Sequence, residues 1–176
     1  MLQTAEQSTL VIVDIQSKLM PKIFDGQRVV NEGIRLGRIS RILGIPVIGT
    51  EQNPDGLGEN VPAIKHLCDH TFIKHHFDGC QDGLVSLIPQ DRTDVIVVGC
   101  EAHVCVLQTC IGLLEHGMKV SLAIDAIGSR TAENRHAAIA RLKDAGVNIT
   151  TVEMIAFEWL RSSDHDNFKP VLELIR

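Results

Sequence analysis

The stretch DVIVVGCEAHVCVLQT, residues 94–109, decides how the rest of the chain is read. It starts as an unbroken apolar run, the pattern of a strand covered on both faces of a parallel sheet. Gly99 interrupts the run, a tight turn follows, and a helix is expected to about His116, stopped by Gly117. Cys105 falls near the start of that helix, where the positive end of the helix dipole favours thiolate over thiol. Turns at the carboxyl ends of parallel strands are also where open α/β sheets bind ligands. Cys105 is therefore a candidate nucleophile, and the remaining sequence has to supply its partners.

Working outward, TLVIVD (9–14) is a second continuous apolar run, and it ends in Asp14. No glycine-rich turn follows it, and no Walker lysine, so a nucleotide cradle is not expected. Residues 28–43 repeat apolar side chains at helical spacing, with Gly44 and Pro46 closing the helix. PVIGT (46–50) is expected as a strand, and EQNPDGLGEN (51–60) as a long loop forming a lid or pocket wall or, equally, an oligomer contact. A short helix over 61–67 leads to TFIK (71–74), a brief strand ending in Lys74. One or two helical turns are expected over 81–87. KVSLAID (119–125) is the fifth strand, 132–145 an alanine-rich helix, and NITTVE (148–153) an edge strand. Two helices follow, one from 154 to Arg161 and one over 168–175. Six strands alternating with helices predict a three-layer α/β/α architecture, Rossmann-like, with a mainly parallel sheet and residues 1–176 in one domain.

Composition narrows the classes of function. The chain has 176 residues, 44% of them hydrophobic, with a formal net charge of −5. No basic run marks a nucleic-acid partner, and no apolar run approaches the ~20 residues that span a bilayer. The N-terminal residues MLQTAEQS lack a signal-peptide pattern, so a cytoplasmic location is expected. Five cysteines without a C-x-x-C pair argue against a disulfide framework. His75, His76 and Cys80, or His103 with Cys105, lack the ligand spacing of a zinc site, so no metal and no cofactor are expected.

Three strand ends carry reactive side chains: Asp14, Lys74 and Cys105. A lysine ammonium favours thiolate, and a carboxylate can take the thiol proton and later return it to a leaving group. Lowering a thiol pKa from ~8.5 to ~6 corresponds to roughly 3 kcal/mol. The N–H groups of the turn before Cys105 suit an oxyanion hole, each donor worth on the order of 3 kcal/mol. Spacing alone equally allows Asp14 to be a helix N-cap and Lys74 a solvated charge. Gln16, Leu19, Phe77 and His103 are candidate pocket residues, with Ile23 and Phe24 nearby. Trp159 suits packing or an oligomer contact, and His136 suits the surface.

VIVDIQ (11–16), Lys74 and VGCEAHVCV (98–106) together resemble the isochorismatase-like cysteine hydrolase superfamily. TEQNPDGLG (50–58), DAIGSR (125–130) and FEWL (157–160) look like its branch of isochorismatase-domain proteins and similar bacterial hydrolases. The resemblance runs from about Thr9 to the C-terminus. It implies Asp14 as base, Lys74 as thiolate partner and Cys105 as nucleophile. It also implies Glu101 and Cys105 as backbone oxyanion donors, a cis peptide at Cys100–Glu101, a small-molecule substrate and a homo-oligomer. The histidine-bearing metal set of nicotinamidases is missing after the second strand, while the cysteine that isochorismatases proper generally lack is present. Ala102 stands where many amidases have threonine. The expected activity is hydrolysis of a small amide or related acyl compound through a thioester. The alternatives are a non-enzymatic binding or scaffold protein that keeps the fold, and a redox-sensing thiol.

Overall fold

The computed structural model describes residues 2–176. Its six strands are β1 (Ser8–Val13), β2 (Val47–Gln52), β3 (His70–Lys74), β4 (Asp94–Cys100), β5 (Lys119–Gly128) and β6 (Asn148–Thr150). They form one parallel sheet in the order β3-β2-β1-β4-β5-β6. Seven α-helical segments flank it: α1 (Gly26–Ile42), α2 (Pro54–Leu57), α3 (Pro62–Lys65), α4 (Leu107–Glu115), α5 (Ala132–Asp144), α6 (Val152–Leu160) and α7 (Phe168–Ile175). Helical layers cover both sides of the sheet, the expected three-layer α/β/α arrangement.

The continuous apolar runs have a simple cause. Successive strand residues point to opposite faces, and here both faces are covered. Leu10, Ile12, Ile96 and Val98 pack with Val29, Leu36 and Ile39 of α1, and with Ile155 and Trp159 of α6. Their neighbours Val11, Val13, Val95 and Val97 pack on the other side with Cys110 and Leu113 of α4, and with Ala138 and Leu142 of α5. Truncating any one of the larger side chains to alanine is expected to cost about 2–5 kcal/mol. Trp159 is 3% exposed and its Nε1 donates to Ser8 Oγ at 2.9 Å, so it is a core residue.

The chain leaves β1 toward β2 and β3, then crosses back to place β4 on the other side of β1. The reversal of strand order therefore lies between β1 and β4, and the carboxyl side of that junction is the crevice where such sheets bind ligands. Gly99 makes the junction close. Its φ is +116°, and a Cβ there would run into the Val13 carbonyl, so only glycine lets the end of β4 lie this tightly against β1.

Two boundaries differ from expectation for local reasons. The alternating stretch 148–153 is strand only to Thr150. Thr151 caps α6 by accepting from Met154 N at 3.2 Å, and the Asp125 carboxylate accepts from Val152 N at 3.0 Å. Those two bonds turn the chain into helix although its residues are β-branched. The expected lid over 51–60 is instead a tied segment. β2 continues to Gln52, α2 occupies a single turn, and Gln16 pairs with Asn60 in an antiparallel bridge. Ser17 N donates to Glu59 O at 2.9 Å, Lys18 N to Leu57 O at 3.0 Å and Val61 N to Ile15 O at 2.9 Å. Glu51, buried on this segment, accepts from Asn60 N at 2.8 Å.

Candidate active site

The sheet order brings Asp14, Lys74 and Cys105 into one buried cluster. Asp14 follows β1 in a left-handed conformation (φ 49°), which turns its side chain out of the strand pattern; it is 1% exposed. A capping residue accepts from backbone N–H groups of the helix, whereas this carboxylate is held by the side chains of Thr50 and Lys74. Lys74 closes β3 and is 0% exposed, so it is not a solvated charge. Its Nζ lies 2.8 Å from Asp14 Oδ2. The two form a buried ion pair. The other carboxylate oxygen, Oδ1, accepts from Thr50 Oγ1 at 2.6 Å. Asp14 thus has one oxygen held by a hydroxyl and the other against the ammonium.

Cys105 is 6% exposed, in a π-helical turn (Ala102–Val106) between β4 and α4. The expected lowering of its pKa is not what the surroundings produce. Burial is the largest influence, the Asp14 carboxylate adds to it, and Lys74 opposes both, so the thiol is pushed up to about 12. The resting group is a thiol beside a carboxylate, and the proton leaves only when a step takes it. Before this turn the Cys100–Glu101 peptide is cis. The Glu101 carbonyl accepts from Val104 N at 3.0 Å and Val106 N at 3.1 Å, so it points into the π turn. Glu101 Oε1 lies 2.9 Å from Arg130 Nε, across the end of β5.

β2 contributes two side chains that spacing along the chain does not single out. It lies between β1 and β3, and Thr50 and Gln52, two residues apart, share a face. Thr50 holds Asp14, as above, while Gln52 Oε1 accepts from Lys74 Nζ at 2.6 Å. The signal that finds them is the strand order, because only a strand between β1 and β3 can reach both partners.

Among the candidate pocket residues, Gln16 is fully buried with both amide ends engaged. Its Oε1 accepts from Gln52 N at 2.8 Å and its Nε2 donates to the Gln52 and Gly58 carbonyls. It clamps the scaffold and does not line a pocket. Leu19 packs in the core with Ile23 and Val29. Phe77 is 50% exposed and Phe24 is also on the surface. The His103 ring pairs with Ser129 Oγ at 3.0 Å beside the cis turn. Grooves of about 500 Å³ along Leu2, Met154 and Phe157, and about 470 Å³ between α1 and α7, lie away from the cluster. Among the described residues no group of three or more His, Cys, Asp or Glu side chains is arranged to hold a metal ion. No helix of the described residues is long and apolar enough to cross a membrane.

The isochorismatase domain model matches residues 8–154, from the first residue of β1 into α6. The chain belongs to the isochorismatase family. Isochorismatase domain-containing protein 2 of Danio rerio is 37% identical over 172 residues, covering 96% of this chain and 86% of that protein. Among solved structures, the MAR1 ribonuclease of Caenorhabditis elegans superposes with a TM-score of 0.92 at 37% identity, covering 99% of this chain and 92% of that one. The YcaC gene product of Escherichia coli, an octameric hydrolase of unknown specificity, shares the fold at a TM-score of 0.91 and 22% identity, covering 99% of this chain and 89% of that one. In this family setting the buried Asp14–Lys74–Cys105 cluster sits on the carboxyl side of the β1–β4 junction.

Proposed function

We propose that the protein is a cysteine-dependent hydrolase of small amides or related acyl compounds. One observation carries the reading: a buried carboxylate and a buried ammonium, Asp14 and Lys74, lie 2.8 Å apart and both act on the Cys105 thiol. A carboxylate beside a thiol can take its proton, and an ammonium beside both steadies the charge that results.

Asp14 takes the Cys105 proton as the sulfur attacks the carbonyl carbon. The oxyanion is received by the Glu101 and Cys105 backbone N–H groups, whose contribution depends on being aimed before the charge develops. Asp14 returns the proton to the departing nitrogen, leaving a thioester on Cys105. Water, deprotonated by Asp14, then releases the acid and frees the thiol. The Lys74 side chain steadies negative charge as it moves between carboxylate and sulfur.

The test is a panel of small amides followed by ammonia release, with Cys105→Ala as control and intact-protein mass spectrometry for the acyl adduct. Turnover that survives Cys105→Ala would overturn the mechanism. RNA belongs on the panel because the C. elegans relative is named a ribonuclease, although a chain of net charge −5 offers little electrostatic attraction for phosphates. Self-association is a further part of the proposal, checked by sizing with light scattering.

A further inference from the structure

The Lys74 ammonium has three hydrogens and no access to water. Its oxygen neighbours are Asp14 Oδ2 at 2.8 Å, Gln52 Oε1 at 2.6 Å and the His76 carbonyl at 3.4 Å. Two of the three are neutral, and the nearest is the Gln52 carboxamide. That carboxamide is itself held at every polar point. Gln52 Nε2 donates to His75 O at 2.8 Å. Its backbone N–H donates to Gln16 Oε1 at 2.8 Å, and its carbonyl accepts from Gln16 Nε2 at 3.1 Å. The orientation is unambiguous, because an ammonium only donates and a carbonyl only accepts.

We propose that Gln52 is a positioning residue for the reaction. It holds the Lys74 ammonium where it acts on both Asp14 and Cys105, and being neutral it leaves the full positive charge in the site. The side-chain type matters for two separate reasons. An apolar group would strand an N–H of a buried cation, which then moves toward its remaining partners. A carboxylate would satisfy the N–H but pair with the ammonium and cancel its field at the sulfur. Glutamine avoids both. Gln16 supports it from behind by gripping the Gln52 backbone, which places the DIQ segment after β1 in the same array.

The proposal rests on Cys105 being the nucleophile, and its readout is independent of any substrate. The rate of iodoacetamide alkylation at Cys105, followed by peptide mass spectrometry at pH 7–8, is proportional to the thiolate fraction while the thiol is mostly protonated. Gln52→Met is expected to slow it about threefold and Gln52→Glu about tenfold, the latter equivalent to one unit in the thiol equilibrium. Both variants keep the wild-type circular dichroism spectrum. A purely structural role predicts the opposite order, since Glu matches Gln in shape and Met does not. If Met fails to fold, the Glu variant still decides, because wild-type alkylation in folded Gln52→Glu overturns the proposal. In a Lys74→Met background the effect of Gln52→Glu should shrink to under about half, as the two act through one cation. An undiminished effect there also overturns it. Turnover independent of Cys105 sinks the hydrolase reading alone and leaves the alkylation order standing.

Discussion

Two of the charged clusters beside the sheet are built on opposite plans. At the bulge of β5, between Leu122 and Ile127, Arg28 donates to the Asp125 carbonyl, and Arg135 donates to the Ile124 and Ile127 carbonyls. Both oxygens of the Asp125 carboxylate accept from Val152 N, at 3.0 and 3.2 Å. These groups satisfy backbone atoms that the bulge and the start of α6 leave unpaired. At the ends of β1 and β3, by contrast, Asp14, Thr50, Gln52 and Lys74 are joined side chain to side chain. At the bulge the charged groups spend their bonds on backbone atoms; at the strand ends they hold one another.

Cys105→Ala separates the two clusters most widely. Turnover should fall by roughly 10³-fold or more while the melting temperature stays within a few degrees. Asp125→Ala should do the reverse, losing about 1–3 kcal/mol in urea titration for the unpaired Val152 N–H, with normal turnover per folded molecule. Equal effects on both measurements from either variant would break the contrast.

Asp14→Asn should cost about 10²–10⁴-fold in turnover while making Cys105 alkylate faster. The second direction follows because the Asp14 charge is, after burial, the main influence raising the thiol. Slower alkylation in that variant would refute the assigned directions. Lys74→Met should slow alkylation and also destabilise by about 3 kcal/mol, since it leaves the Asp14 carboxylate buried without its cation.

The pH responses are smaller. Cys68, Cys80 and Cys105 are each pushed up to about 12, chiefly by burial. An unfolded chain releases these protons first, near pH 9, so stability is complete below that and falls as pH rises toward 12. Melting temperatures at pH 7, 9 and 10 check this. Asp82 works in the other direction. It accepts from His75 N and His76 N at 2.7 and 2.8 Å, and these bonds, with His76, hold it at about 2. Its contribution is present above about pH 4 and is lost as pH falls toward 2, a loss that Asp82→Asn should abolish.

Much of this was legible in the chain itself. The apolar runs at β1 and β4 and the breakers around them were enough to mark the layers, because strands covered on both faces leave no alternation. Asp14, Lys74 and Cys105 stood out as reactive groups at strand ends. Thr50 and Gln52 did not, since their meaning comes from β2 lying between β1 and β3, and no local pattern encodes a neighbour in the sheet. Gln16 was visible but misplaced: a polar residue after an active strand suggests a pocket wall, and only its bonds to Gln52 and Gly58 show a clamp. The helix dipole predicts a lowered thiol where burial raises it, because the dipole at a helix start is a local property whereas burial is set by the whole fold. The β6 boundary was lost to a side chain 27 positions away, Asp125 reaching Val152 N.

The sheet order carries a consequence for how the molecule is made. β3, β2, β1 and β4 must lie side by side before Asp14, Thr50, Gln52, Lys74 and Cys105 can meet, and these strands occupy only the first hundred residues. β5, β6, α6 and α7 add none of those side chains. Recovery of Cys105-dependent turnover during refolding is therefore a clock for the docking of one half of the sheet. The fluorescence of Trp159, on α6 and bonded to Ser8 of β1, times the arrival of the later elements against that half.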